Sequence, residues 1–186
     1  MKTCVILAGG KSSRMGQDKT LLPFGEFNTL THFQFNKFSK IFTNVFISSK
    51  FDKFIPPLPL LKDISQDYSP MLALASVLAN FKDEKIFIIP ADMPFVSKEC
   101  VTKLYEYSDK FDIVIAQDKE FSHSLCGFFN SNISKKALEL YQNGEHKIGL
   151  LQNFYNVKKV KFDNAEQFFN VNDSSQYQIA LKMKQI

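Results

Sequence analysis

The chain has no tryptophan, a single arginine and only three cysteines, and each shortage excludes something. Cys4, Cys100 and Cys126 are odd in number and widely spaced, with no Cys-x-x-Cys. A disulfide framework or a zinc site is therefore not expected, and a reducing, cytoplasmic setting is. Like charges never run beyond two in a row, and the formal net charge is +4. That argues against a nucleic-acid surface and suits small anionic substrates. Apolar runs are short too. Cys4–Ala8 is halted by glycines, which rules out the pattern of a signal peptide. No run nears the roughly 20 residues that span a bilayer, so no membrane partner is expected. The 20 phenylalanines are read as a bias of the core rather than as a binding device.

What is present is an alternation. Short apolar runs suggest strands at 3–8, 44–49, 60–61, 85–92, 112–117 and 124–130, with an edge strand at 157–162. Helical period is expected over 28–40, 70–81, 97–108, 131–142, 146–154 and from Ser174 to the end. Ser69, Ser97 and Ser131 stand as caps, Pro70 fits a first helical turn, and Asn143-Gly144 reads as a stop. Alternating strands and helices predict an α/β fold with a parallel-rich sheet covered on both faces. The 186 residues suit one domain, 1–186. Such sheets bind ligands beyond the carboxyl ends of their strands.

Two segments fall there. "LAGGKSSRMGQDK" (7–19) follows the first strand and holds three of the seven glycines and Arg14, the one arginine among 23 basic residues. It is not a Rossmann fingerprint, because Gly9 and Gly10 are adjacent. It is not a Walker A loop, because the required first glycine falls at Val5. A long glycine loop with Lys11, Arg14 and Lys19 remains. Its N–H groups can form an anion nest, and Arg14 and Lys19 can hold phosphate oxygens. A turn with solvated basic residues is the alternative. "PADMP" (90–94) places Asp92 past the clearest strand, where a carboxylate can hold Mg²⁺ against phosphates. A turn-forming aspartate is the alternative there.

The loop resembles the nucleotidyltransferase pattern Leu-Ala-Gly-Gly-x-x-x-Arg-Met-Gly-x-Asp-Lys, and its second half resembles the molybdenum cofactor guanylyltransferases in particular. "PADMP" is similar to that family's metal-binding turn, and "FFNVNDSSQY" (168–177) to its Asn-Val-Asn segment. The resemblance implies a three-layer α/β/α, mostly parallel, Rossmann-like sheet of the nucleotide-diphospho-sugar transferase type. It assigns Leu7, Ala8, Gly9, Gly10, Lys19, Ser48, Asp63 and Asp92 to the nucleotide. Arg14, Lys19 and Asp92 would be catalytic, with Mg²⁺ on Asp92. Asp18, His123, Asn170 and Asn172 would face the second substrate. Asp18 has a second reading, as a partner of Lys19 or Arg14. Asp63 can equally be a solvated loop residue, and Asn170 and Asn172 part of a helix-entry turn.

The implied reaction takes GTP and molybdenum-bound molybdopterin to the guanine dinucleotide cofactor and pyrophosphate. Proteins that mature molybdoenzymes would be its partners. One departure concerns the base. Where the family has Gly-Pro-Leu-x-Gly, this chain has Ser69-Pro70-Met71-Leu72-Ala73. A related enzyme using CTP or another nucleotide, and a nucleotide-binding protein without catalysis, are the rival readings.

Overall fold

The computed structural model describes residues 1–9, 16–62, 67 and 69–184. Apolar runs become strands β1 (Thr3–Leu7), β2 (Asn44–Ser49), β3 (Leu60–Lys62), β4 (Lys85–Pro90), β5 (Ile113–Gln117), β6 (Ser122–Asn130) and β7 (Val157–Lys161). They form one sheet in the order β3-β2-β1-β4-β6-β5-β7. The pairs β1–β2, β1–β4, β2–β3 and β5–β7 are parallel, while β6 runs antiparallel to both β4 and β5. The sheet is thus mixed and mostly parallel, as expected, with β7 at an edge.

Period-two alternation sends neighbouring side chains to opposite faces. Cys4, Ile6, Phe87 and Ile89 face one side, where they pack with Phe38 of α1 (Leu30–Ser39) and Val101 and Leu104 of α3 (Lys98–Tyr105). Val5, Ile86 and Ile88 face the other, against Met71, Leu74 and Leu78 of α2 (Pro70–Leu78) and Ala137 and Leu140 of α4 (Ser134–Gln142). These two helix layers make the three-layer architecture. Phenylalanine fills the first face: Phe87 lies 5.4 Å from Phe42 and 5.0 Å from Phe128, centroid to centroid. A smaller cluster joins Phe24 and Leu30 to Val171 and Ala180, seating α5 (Ser174–Lys184) beside the start of α1.

Local chemistry starts the helices. Thr29, Ser69 and Ser97 each accept an N–H of the first turn, from His32, Leu72 and Cys100. Ser131 does not act as the expected cap. Asn130 takes an N–H of Asn132 instead and opens a 3₁₀ turn, Ser131–Ile133, that leads into α4. Residues 146–154 are likewise tighter than predicted, a 3₁₀ stretch over Ile148–Asn153. Among the described residues no helix is long and apolar enough to cross a membrane.

Register positions the site. Leu7 sits opposite Ser48 on one side and Pro90 on the other, so β1, β2 and β4 end level. The segments that follow them meet at one carboxyl edge, the ligand edge of parallel sheets.

At Gly127 the sheet leaves no room for a side chain. A Cβ there would lie 2.0 Å from the Val114 carbonyl oxygen, next to the register shift between Ile115 and Ala116. Gly127→Ala should lose about 3 kcal/mol, lowering Tm on the order of 10 °C. A melting curve within 2 °C or so of wild type would show that β5 and β6 yield there.

Candidate active site

Three predicted residues from distant parts of the chain converge at that edge. Lys19 opens a 3₁₀ turn, Lys19–Leu21, whose cap is Asp18. Its ammonium forms an ion pair with Oδ2 of Asp92 and donates to Oδ1 of Asn172 at 3.1 Å. The side chains of Lys19 and Asp92 are 17% and 16% exposed. At an effective dielectric near 20, unit charges 4 Å apart attract by about 4 kcal/mol before desolvation is subtracted. Burial at this depth takes back much of that gain unless every lone pair is met.

One lone pair is not met. Oδ1 of Asp92 is buried and has no hydrogen-bond partner among the described residues. An unsatisfied buried acceptor costs about 1–3 kcal/mol, more when charged. A hard divalent cation is the group that such an oxygen suits. No cluster of three or more His, Cys, Asp or Glu residues able to hold a metal occurs among the described residues. Among the described residues Asp92 is the carboxylate placed for it, and phosphate and water would supply further oxygens. The residues present fit a cation that arrives with a nucleotide.

The Asp92 turn is held from three directions. The Asp92 carbonyl accepts the Val171 N–H at 2.9 Å. The Met93 carbonyl accepts the Gln34 side-chain amide at 2.8 Å, and the Pro94 carbonyl accepts the Lys37 ammonium at 2.7 Å. Gln34 and Lys37 both lie on α1, so that helix braces the turn by two side chains. The Lys37 ammonium lies among the thiols of Cys4, Cys100 and Cys126, and burial pushes its pKa down to about 7. Burial also pushes the Cys4 thiol up, and the Cys126 thiol is raised by a hydrogen bond with Cys100 and by burial. These cysteines are free and buried, which suits packing and not nucleophilic work.

Asp18 is bonded to Thr20 and Lys53. Its Oδ1 accepts the Thr20 N–H at 3.0 Å and the Thr20 hydroxyl at 2.7 Å, and its Oδ2 accepts the Lys53 ammonium at 2.5 Å. Burial pushes the Asp18 carboxyl up, but the hydrogen bonds from Lys53 and Thr20 outweigh it and hold the group below its usual range. Leu7, Ala8 and Gly9 lie at the end of β1, where the Ala8 N–H donates to the Ser48 carbonyl at 2.8 Å. Ser48 is buried, so its backbone is what it contributes there. Gly10, Arg14 and Asp63 lie outside the described residues.

A second cavity of about 580 Å³ adjoins the turn, lined by Pro90, Met93, His123, His146, Lys147 and Asn170 among others. Val171 is buried while Asn170 and Asn172 on either side are partly exposed, so both asparagines reach the cleft side. His123 stacks on Phe168 at 4.3 Å, and its Nε2 meets Oδ2 of Asp118 at 2.9 Å. Asp118 also accepts the N–H groups of Glu120 and Phe121 through Oδ1, so it holds the imidazole from a fixed point. The backbone bonds at Phe121 lead the causes that keep its carboxyl below the usual range. Gln34, Lys37, Lys53 and Asp118 carried no sequence signal. Each acts through one to three long-range or turn bonds.

Comparison with known proteins bears on the family and the fold. A match to the MobA-like NTP transferase domain covers residues 4–156. The molybdenum cofactor guanylyltransferase of Campylobacter jejuni subsp. doylei is 44% identical over 178 residues, 94% of this chain and 93% of that protein. Molybdopterin-guanine dinucleotide biosynthesis protein A from Archaeoglobus fulgidus shares the fold with a TM-score of 0.83 at 20% identity, covering 100% and 99% of the two chains. A Mycobacterium tuberculosis protein solved in complex with manganese shares it with a TM-score of 0.68 at 14% identity, over 98% and 100%.

The perturbed lysine gives a prediction. Below pH 7 Lys37 is charged in both folded and unfolded chains, and its burial cost is felt in full. Between about 7 and the ordinary 10.4, the unfolded chain binds more protons, so stability rises with pH. Urea denaturation of wild type and Lys37→Met should show the difference moving toward wild type by about 2 kcal/mol from pH 6 to pH 9. A difference that stays flat would mean that the ammonium titrates normally.

Proposed function

This chain belongs to the MobA-like NTP transferases and is a nucleotidyltransferase, and from that premise we propose that it transfers GMP from GTP to molybdenum-bound molybdopterin. The observation that carries the site assignment is the meeting of Lys19, Asp92 and Asn172 at the carboxyl edge, with one Asp92 oxygen unmatched. Curated relatives named for that activity support the substrate pair.

The nucleophile is molybdopterin's terminal phosphate, already ionised at neutral pH, so no general base is needed. Positioning and charge neutralisation then carry the catalysis. With the Ala8 N–H held by the Ser48 carbonyl, the Gly9 N–H and the loop N–H groups assigned from the sequence would cradle the nucleotide phosphates. Lys19 neutralises phosphate charge, and Arg14, assigned from the sequence, provides a planar fork for two oxygens. Asp92 would hold Mg²⁺, which when bound supplies Lewis-acid stabilisation of phosphoryl charge. Asn172 orients Lys19, and the cavity with His123 and Asn170 takes the second substrate, whose anionic groups suit the Lys147 ammonium in its wall. We place the reaction in the cytoplasm, a setting supported by three free thiols.

Base choice is the point at which a cytidylyl reading competes. Ser69, the cap of α2, and Ala73 in its first turn stand in place of the two glycines, and Met71 between them is fully buried. Competition among GTP, CTP, ATP and UTP with Mg²⁺ should favour GTP by at least about tenfold, the ratio set by roughly 1.4 kcal/mol. Preference for CTP would discard the guanylyl assignment. Asp92→Asn should lower kcat at least about a hundredfold while leaving Tm within a few degrees. Arg14→Lys should lower kcat about tenfold although charge is kept, since the fork is lost. Wild-type kinetics in that variant would show that charge alone suffices.

A further inference from the structure

Lys53 is absent from every motif above, yet it touches both ends of the glycine loop. Its ammonium donates to the Ala8 carbonyl at 2.9 Å, where the loop begins, and to Oδ2 of Asp18 at 2.5 Å, where it ends. The same Asp18 caps the turn that opens with Lys19. The Lys53 and Asp18 side chains are 19% and 32% exposed, so the pair is partly buried rather than freely solvated.

Lys53 is itself anchored. The next residue, Phe54, is buried in the main core, with the Lys53 ammonium 5.4 Å from its ring centroid. Two residues further on, the Pro56 carbonyl accepts Nε2–H of His32 at 2.8 Å. A carbonyl only accepts, so Nε2 carries the proton and Nδ1 accepts from the Thr29 hydroxyl at 2.7 Å. Thr29 and His32 form the first turn of α1. A continuous chain of contacts thus runs from α1 through residues 53–56 to the loop.

We propose that Lys53 is a positioning residue for the nucleotide: its ammonium clasps Ala8 to Asp18 and fixes how Gly9 and Lys19, at the two ends of the glycine loop, are presented to the phosphates. The inference rests on the nucleotide site proposed above. Ends held in place before ligand arrives lose less conformational entropy on binding, so the clasp acts on affinity. Once the nucleotide is seated, Lys19 and Asp92 do their work with or without it.

GTP·Mg²⁺ affinity by calorimetry, with steady-state kinetics and melting curves, tests this. Lys53→Met should weaken GTP binding and raise its KM about tenfold or more, with kcat falling less than about threefold and Tm little changed. Lys53→Arg should recover part of the affinity. Asp18→Asn should act through the same contact, so the double variant should lose less than the product of the single losses. GTP affinity of Lys53→Met within twofold of a GTP-binding wild type overturns the clasp and leaves the site standing. So does a parallel loss of kcat and Tm with KM unmoved. Wild-type protein that binds no GTP overturns the nucleotide site, and the clasp with it.

Discussion

The ion pair between Lys19 and Asp92 is the contact around which the rest of the molecule is arranged. Its partners come from the loop after β1 and the turn after β4, and Asn172 joins them from the approach to α5. Neither charge is well solvated, so the pair depends on a frame that holds both groups in place. The frame is built from level strand ends, since Leu7 lies beside Pro90 in the parallel register. It is tightened by α1, which grips the Asp92 turn through Gln34 and Lys37. A site made of one lysine and one carboxylate would be loose on an isolated loop. Here both ends are tied to the core.

That arrangement is incomplete by itself, which accounts for its chemistry. Among the described residues Oδ2 of Asp92 is engaged and Oδ1 is not. On the proposed function, a cation bound with a triphosphate would satisfy the second oxygen and give Lys19 a richer anion to face. Transfer to a phosphate nucleophile asks for little beyond this, because proton abstraction is not part of the reaction. The absence of a histidine or cysteine catalyst at the Lys19–Asp92 centre fits that demand. The three thiols sit instead under α1 and α3, where burial keeps them inert.

Much of this was legible in the sequence, for physical reasons that can be named. β1 and β4 show because both faces are covered, which makes their runs continuously apolar. Ser69 and Ser97 show as caps because side-chain capping is local. The same reasoning chose Ser131 over Asn130 wrongly, since both are competent caps and the strand end decided between them. β6 extends back to Ser122, beyond the apolar run, because its first residues are only half-buried. Lys19, Asp92 and Asn172 were legible through their motifs. Lys53, Gln34 and Asp118 were not, because a lysine or glutamine bonding a carbonyl dozens of residues away leaves no periodic trace.

On the proposed function, Lys19 and Asp92 hold each other in readiness for a metal-bound nucleotide. A crystal structure with GTP and Mg²⁺ is the direct test. Asp92 should turn both oxygens toward the cation and its water shell, while the Lys19 ammonium should leave Oδ2 for a phosphate oxygen and keep Asn172 as its neighbour. Nucleotide bound elsewhere, with the Lys19–Asp92 pair intact, would contradict it.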